Sequence, residues 1–356
     1  MRLEKRHAPS RTAMLAAPLL ALLVTMLLVT LLVLWAGKPV DQTFALLLQG
    51  GFGSRFAWSE TLTRAVPLIL TGLAVTVAFR ARLFNIGAEG QLYAGAIAAI
   101  AIGGMHGGSG LGLPAWLLFP LMLLAAALAG AALLLGPALL KLQLGVDEVV
   151  TTLLLNFIVL LAVSALLDGA MKDPLALGWP QTVALQPELE LARLLQGTRL
   201  HTGLLWAVGL ALLLWLLLSR SVLGFDIRAT GANPRAAAFV GVASTRTVVC
   251  AALLSGALAG LAGAIEVAGR TGYVTLDLSP GYGYTGIVIA MLAGLRPLGV
   301  VAAAIFVAGV QVGSDSMSRA VGVPTYIADV IVAMALLAVL VAGLLVQYRV
   351  RLGKST

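Results

Sequence analysis

The sequence predicts an all-α, polytopic membrane protein. Hydrophobic residues fill 60% of the 356 positions, and only 11% are charged. Apolar runs near the length of a bilayer crossing recur along the chain, separated by short gaps that hold most of the basic residues. A soluble domain carries about a quarter charged residues, and this chain lacks the polar surface to cover a core of its own. Its 40 glycines fit membrane helices, where small residues let backbones approach closely.

The first apolar run, Ala13 to Trp35, follows Arg2, Lys5, Arg6 and Arg11. That basic start resembles a secretory leader, but the run is too long for one and no small-residue cleavage site follows, so it reads as a retained helix. Further spans are expected at 62–79, 88–105, 114–136, 148–167, 203–219 and 247–268. A short run at 284–294 is separated by Leu295-Arg296-Pro297 from another at 298–313, and the last span is 325–346. This gives about ten transmembrane helices. The eighth is too short to cross alone, so 284–313 is either two spans or a re-entrant pair.

Placing the N-terminus inside puts fifteen of the 23 Lys and Arg on inner segments, among them Arg80, Arg82, Lys141, Arg220 and Arg296. The positive-inside rule then sets both termini in the cytoplasm. Trp35, Trp58, Trp116 and Trp206 fall at outer ends as an interfacial belt; Trp215 does not fit that belt. The chain reads as one transmembrane domain, 1–356. It has a cytoplasmic N-terminus (1–12), a periplasmic loop (168–202), a cytoplasmic loop (219–247) and a cytoplasmic tail (347–356).

The net charge of +8 lacks the clustered basic face of a nucleic-acid binder. One cysteine, Cys250, excludes an intrachain disulfide, and three scattered histidines make no metal site. The C-terminal Gly353-Lys354-Ser355 is not a P-loop, because Tyr348 stands where the first glycine belongs and no helix follows. No nucleophile–base pair or convergent acid–base constellation marks an intramembrane enzyme.

Three polar interruptions remain. In the inner loop Leu223–Val242, Asn233 is a candidate N-cap and Pro234 suits the first helical position. A short helix Arg235–Val240 ending at Gly241 is expected; by itself it is either a plain basic loop or a docking element. Arg80–Gln91 places Asn85, Glu89 and Gln91 beside Gly87 and Gly90 between apolar runs. Glu89 there either caps the third helix or meets a solute. Leu276–Tyr284 is a similar glycine-broken entry to an apolar run. Five spans separate the two breaks, so they open to opposite sides. An inverted repeat of 62–168 and 247–346 has that property. Asn156, mid-helix, is expected to bond a neighbouring helix. Glu266, Asp315 and Asp329 lie near outer ends.

Phe84-Asn85-Ile86-Gly87-Ala88-Glu89-Gly90-Gln91 resembles the signature of permeases in simple-sugar and nucleoside ABC importers, within the branched-chain amino acid and ribose permease group. Val146 to Asn156 is similar to that group's N-E-V-I-x-T-L-M-L-N stretch, with Asp147 in place of Asn. Gly231-Ala232-Asn233-Pro234-Arg235-Ala236-Ala237 resembles its G-x-N-P-x-A-A loop, and Gly281 to Gly294 resembles its G-x-G-x-x-G-I-A-V-A-L-L-G stretch. The resemblance covers about 60 to 346. It implies a type II-like ABC importer permease fold in a bacterial cytoplasmic membrane. It also implies a second permease subunit, a cytoplasmic ABC ATPase that uses ATP and Mg, and an extracytoplasmic substrate-binding protein. This chain would need no cofactor of its own. The residues implied to couple to the ATPase are Arg228, Gly231, Asn233, Pro234, Arg235, Ala236, Ala237 and Gly241. Phe84, Asn85, Glu89, Gln91, Asn156 and Tyr284 are candidates for the translocation pathway. The expected solute is a nucleoside, purine or simple sugar. An ion-coupled secondary transporter is the alternative that broken helices leave open.

Overall fold

A computed structural model describes residues 2–5, 39–105, 113–322 and 348–351, with parts of 23–37 and 330–341. The first and last expected spans lie largely outside the described residues, as does the C-terminal Gly-Lys-Ser. The helices are α1 (Met26–Trp35), α2 (Val40–Phe52), α3 (Arg55–Arg80), α4 (Ala88–Gly103), α5 (Ala115–Leu144) and α6 (Glu148–Asp168). Next come α7 (Gly203–Arg220), α8 (Val222–Ala232), α9 (Pro234–Phe239), α10 (Ser244–Glu266), α11 (Tyr282–Leu292) and α12 (Pro297–Val321). Among the described residues, six helices are long and apolar enough to cross a membrane, or seven if the bent pair α1–α2 is one span. The described chain gathers into two compact units, Met1–Thr61 with Phe306–Thr356, and Leu62–Ile305.

In the first unit α1 and α2 meet at a bend of 120°. Sequence reading gave no helix at Val40–Phe52, because Asp41, Gln42 and the Gly50-Gly51 pair interrupt its apolar run. Those glycines are what the packing uses. A Cβ on Gly51 would sit 2.4 Å from the Gly309 carbonyl oxygen, and one on Gly313 would sit 2.1 Å from that of Leu47. Val29, Val33 and Met317 form a small core with Phe44 against it. The all-helical expectation has one exception here: β1 (Arg2–Lys5) pairs antiparallel with β2 (Tyr348–Arg351). The two ends of the chain therefore lie side by side.

The second unit is built on contact between backbones. On α10, Gly256 and Gly260 stand one turn apart. A Cβ on Gly256 would lie 2.3 Å from the Gly130 carbonyl oxygen, and one on Gly260 would lie 2.1 Å from that of Ala126. Gly263 meets the Leu92 carbonyl of α4 in the same way. Lipid supplies no hydrophobic drive for helix association, so this close van der Waals fit is a main source of cohesion. Buried Leu68, Ile69, Leu70 and Leu73 of α3 add to the core.

Two helices of this unit are short. At 1.5 Å per residue, α4 spans about 24 Å and α11 about 16 Å. Residues 81–87 connect α3 to α4, and residues 272–281 connect α10 to α11, without regular structure apart from turns. A five-residue π-helical turn, Val267–Thr271, ends α10 before the second of these. The 168–202 segment is folded onto the same region. Thr182 N–H donates to the Val274 carbonyl (3.0 Å), and Leu185 N–H donates to that of Gly272 (2.7 Å).

Candidate functional site

The functional geometry starts from backbone that has left its helix. Unwound N–H and C=O groups inside an apolar bundle must find partners, since each unsatisfied group costs several kcal/mol in lipid. For 81–87 the partners come from one face of α6. Glu148, Thr152 and Asn156 are spaced by four residues, so they stack along one stripe. Phe84 N–H donates to Glu148 Oε1 (3.1 Å), and Ile86 N–H donates to Thr152 Oγ1 (3.2 Å). Asn156 Nδ2 donates to the Ile86 carbonyl (2.9 Å), while its Oδ1 accepts from Gly90 N–H (2.8 Å) at the start of α4. Lys141 fixes the lower rung, donating to Glu148 Oε1 (2.5 Å) and to the Arg82 carbonyl (2.7 Å). Asp147, the departure from the family pattern, still works as the N-cap of α6 and accepts from Val149 N–H (2.8 Å).

Within the unwound segment Asn85 and Gln91 form a reciprocal amide pair, both bonds 2.9 Å. Asn85 Oδ1 also accepts from Gly87 N–H, and its Nδ2 donates to Ser255 Oγ (3.1 Å), whose hydroxyl donates to the Ala74 carbonyl (2.7 Å). Asn85 and Gln91 are buried, and this network accounts for their polarity structurally.

The second break, 272–281, is held by α4. Tyr93 hydroxyl donates to the Leu276 carbonyl and accepts from Ser279 N–H. Glu89, one turn earlier, accepts from Gly283 N–H (2.6 Å) with Oε2. A buried carboxylate thus rests on the N-terminus of α11, where orphan donors and the helix dipole favour negative charge. Gly281 has a φ of +87° as the helix N-cap. A Cβ on Gly283 would stand 2.2 Å from the Glu89 nitrogen, so the N-termini of α4 and α11 meet nearly in contact. Thr71 hydroxyl bridges to the Tyr282 carbonyl (3.0 Å) from the middle of α3. Glu89 thus sits in the first turn of α4 without a side-chain cap bond there, and its carboxylate accepts from the first turn of α11 instead.

The six candidate pathway residues divide by exposure. Asn85, Glu89, Gln91 and Asn156 are buried and hydrogen-bonded, whereas Phe84 is 44% and Tyr284 37% exposed. Tyr284 hydroxyl accepts from Asn156 Nδ2 (3.0 Å). Sequence reading missed Glu148, Thr152, Tyr93, Ser255 and Ser279. The four-residue spacing of Glu148, Thr152 and Asn156 was the available signal.

At the end of the unit where α3, α5 and α7 finish, the chain leaves for α8 and α9. The short helix forms as expected and one residue earlier, at Pro234–Phe239. Asn233 Oδ1 accepts from Arg235 N–H (3.1 Å) and Ala236 N–H (3.2 Å), and Gly241 follows with a φ of +90°. The longer α8 before it was not anticipated. Its Gly231 lies directly on the Arg80 carbonyl, 1.8 Å from an ideal Cβ. Ala237 is buried, whereas Arg228, Asn233, Pro234, Arg235 and Ala236 are exposed. Phe239 is 93% exposed at the tip.

Residues 57–346 match the family described as the branched-chain amino acid transport system / permease component. The chain is 34% identical over 329 residues to the guanosine ABC transporter permease protein NupP of Bacillus subtilis (strain 168), covering 92% of this chain and 93% of that one. It is 36% identical over 324 residues to the glucose ABC transporter permease protein TsgB13 of Haloferax volcanii, covering 88% and 83%. It is 29% identical over 332 residues to the nucleoside ABC transporter permease protein NupB of Lactococcus lactis subsp. cremoris, covering 91% and 90%. No solved structure matches. With most of its length matched, the chain belongs to the branched-chain amino acid transport system permease family. It is a multi-pass permease component of an ABC importer for a small solute.

Proposed function

We propose that this chain is the nucleoside- or sugar-importing permease of a bacterial cytoplasmic membrane, and that α8–α9 is the element through which a separate ATPase drives it. The observation that carries the coupling role is Phe239. An aromatic side chain 93% exposed at the end of a six-residue helix has no packing role among the described residues. Buried aromatic anchors dominate protein interfaces. The basic end that bears it, with Arg80, Arg82, Lys141, Arg220, Arg228 and Arg296, would face the cytoplasm by the positive-inside rule. The strand pairing of the two ends favours termini on one side.

The mechanism follows the contacts. Force on α9 passes to α8 and through Gly231 to Arg80, the residue just before the first unwound segment. That segment leads to the meeting of α4 and α11. Two opposed half-helices joined by hydrogen bonds to side chains, rather than by continuous backbone ladders, can rock apart at low cost, as alternating access requires. The breaks at 81–87 and 272–281 would be equivalent parts of an inverted repeat. A second permease would complete the pathway, and a binding protein would deliver the solute. Phe84 and Tyr284, exposed aromatic rings beside the unwound backbone, are placed to stack on a base or sugar face.

The test is ATP-dependent uptake in vesicles holding the chain with its ATPase and second permease. Phe239→Asp should lower uptake about tenfold or more by removing an interface anchor. Uptake at the parent rate would remove the coupling role.

A further inference from the structure

We propose that the cleft lined by Arg80, Arg228 and Arg296 with Trp215, Leu218 and Leu298 binds the headgroup of an anionic phospholipid. The cleft has a volume of about 620 Å³ and no acidic side chain in its lining. Arg228 and Arg296 lie close enough to Arg80 to repel its charge. Arg80 Nε donates to the Leu295 carbonyl (2.7 Å), which pins the guanidinium at the cleft rather than letting it swing into water. Three gathered guanidiniums call for an anion, and their planar forks fit phosphate oxygens.

The start of α12 adds to the same field. Pro297, Leu298 and Gly299 line the cleft, and Val300 N–H already bonds the Arg296 carbonyl. The N–H groups of Leu298 and Gly299 belong to the first turn, where helices leave donors without intrahelical partners.

The walls choose between sources of phosphate. Trp215 lies one turn and a half before the end of α7 at Arg220, the depth of an interfacial aromatic belt. This gives Trp215, the tryptophan that the outer belt leaves unexplained, a place at the opposite interface. Leu212 and Leu216 on α7 are exposed beside it, and Leu298 is exposed at the rim. A free phosphate has no use for apolar walls, whereas a lipid sets its phosphate among the arginines and its acyl chains along α7. Basic pockets between membrane helices have this chemistry. The inference rests on the membrane reading and not on the coupling role of α9.

The full-length chain, purified without partners, would be placed in bilayer discs of phosphatidylcholine with added phosphatidylglycerol, and retained lipid counted by native mass spectrometry. The parent should retain phosphatidylglycerol in preference to phosphatidylcholine. The exposed pair Arg228→Ala with Arg296→Ala should weaken that retention about tenfold or more, and Arg228→Lys with Arg296→Lys should restore part of it. Equal retention by parent and alanine variant would overturn the site. So would inorganic phosphate alone displacing phosphatidylglycerol from the parent, which would make it a free-anion site. In a separate pull-down with the ATPase, an alanine variant that keeps its lipid yet no longer binds the ATPase would make the cleft a protein-docking surface, and would likewise overturn it.

Discussion

Asn156 satisfies two groups that the break in the helix leaves apart: the Ile86 carbonyl of an unwound segment and the Gly90 N–H at a helix start. Asn156→Leu would keep the volume and leave both groups buried without a partner. Each such orphan costs about 1–3 kcal/mol, so the melting temperature in detergent should fall by several degrees. Asn156→Asp keeps the acceptor and loses the donor, and should fall between. His201 sets a second residue-scale expectation. Its ring is buried between Gly203 and Gly269; Nδ1 accepts from Gly203 N–H (3.2 Å), and Nε2 has no partner. Burial, with the Arg270 charge adding to it, pushes its pKa down to about 4. The unfolded chain binds this proton more readily, near pH 6.5. The contribution of the neutral ring is therefore full above about pH 6.5 and is lost as pH falls toward 4. Melting curves between these pH values should show a slope that His201→Gln flattens.

At the scale of elements, the packing of α10 on α4 and α5 depends on positions with no room for a side chain. Gly260→Val would drive a branched side chain into the Ala126 carbonyl, and overpacking of this kind costs about 1–3 kcal/mol. A reduced melting temperature with unchanged membrane insertion is the expected outcome. Asn233→Ala removes the cap of α9 and about 1 kcal/mol of local helix stability. Its effect should appear in ATP-coupled uptake rather than in melting. The elements show why some structure was legible and some was not. Long apolar runs announced α3, α5, α6, α7 and α10 to within a few residues at most ends, and Asn233-Pro234 announced α9, because these signals are local. Val40–Phe52 was not legible, since its Gly50-Gly51 pair reads as a break until Gly309 and Gly313 are seen opposite it. The roles of Asn85 and Glu89 were half legible: glycines marked the breaks, but which groups satisfy them depends on α6 and α11, far away in sequence.

At the largest scale, the Leu62–Ile305 unit carries the exposed helix α9 at its basic end, and within it the starts of α4 and α11 are joined by a side-chain hydrogen bond. The family match makes the chain a permease component of a transport system. The central claim is that energy enters through α9 and is spent at the α4–α11 junction. The most direct measurement is solute uptake into vesicles containing this chain with the ATPase and second permease proposed for it, with Phe239→Asp beside the parent. The account predicts uptake that needs ATP inside the compartment where α9 lies, and its loss in the variant with the chain still folded and inserted. Uptake driven by an ion gradient without ATP, and equal in parent and variant, would contradict it.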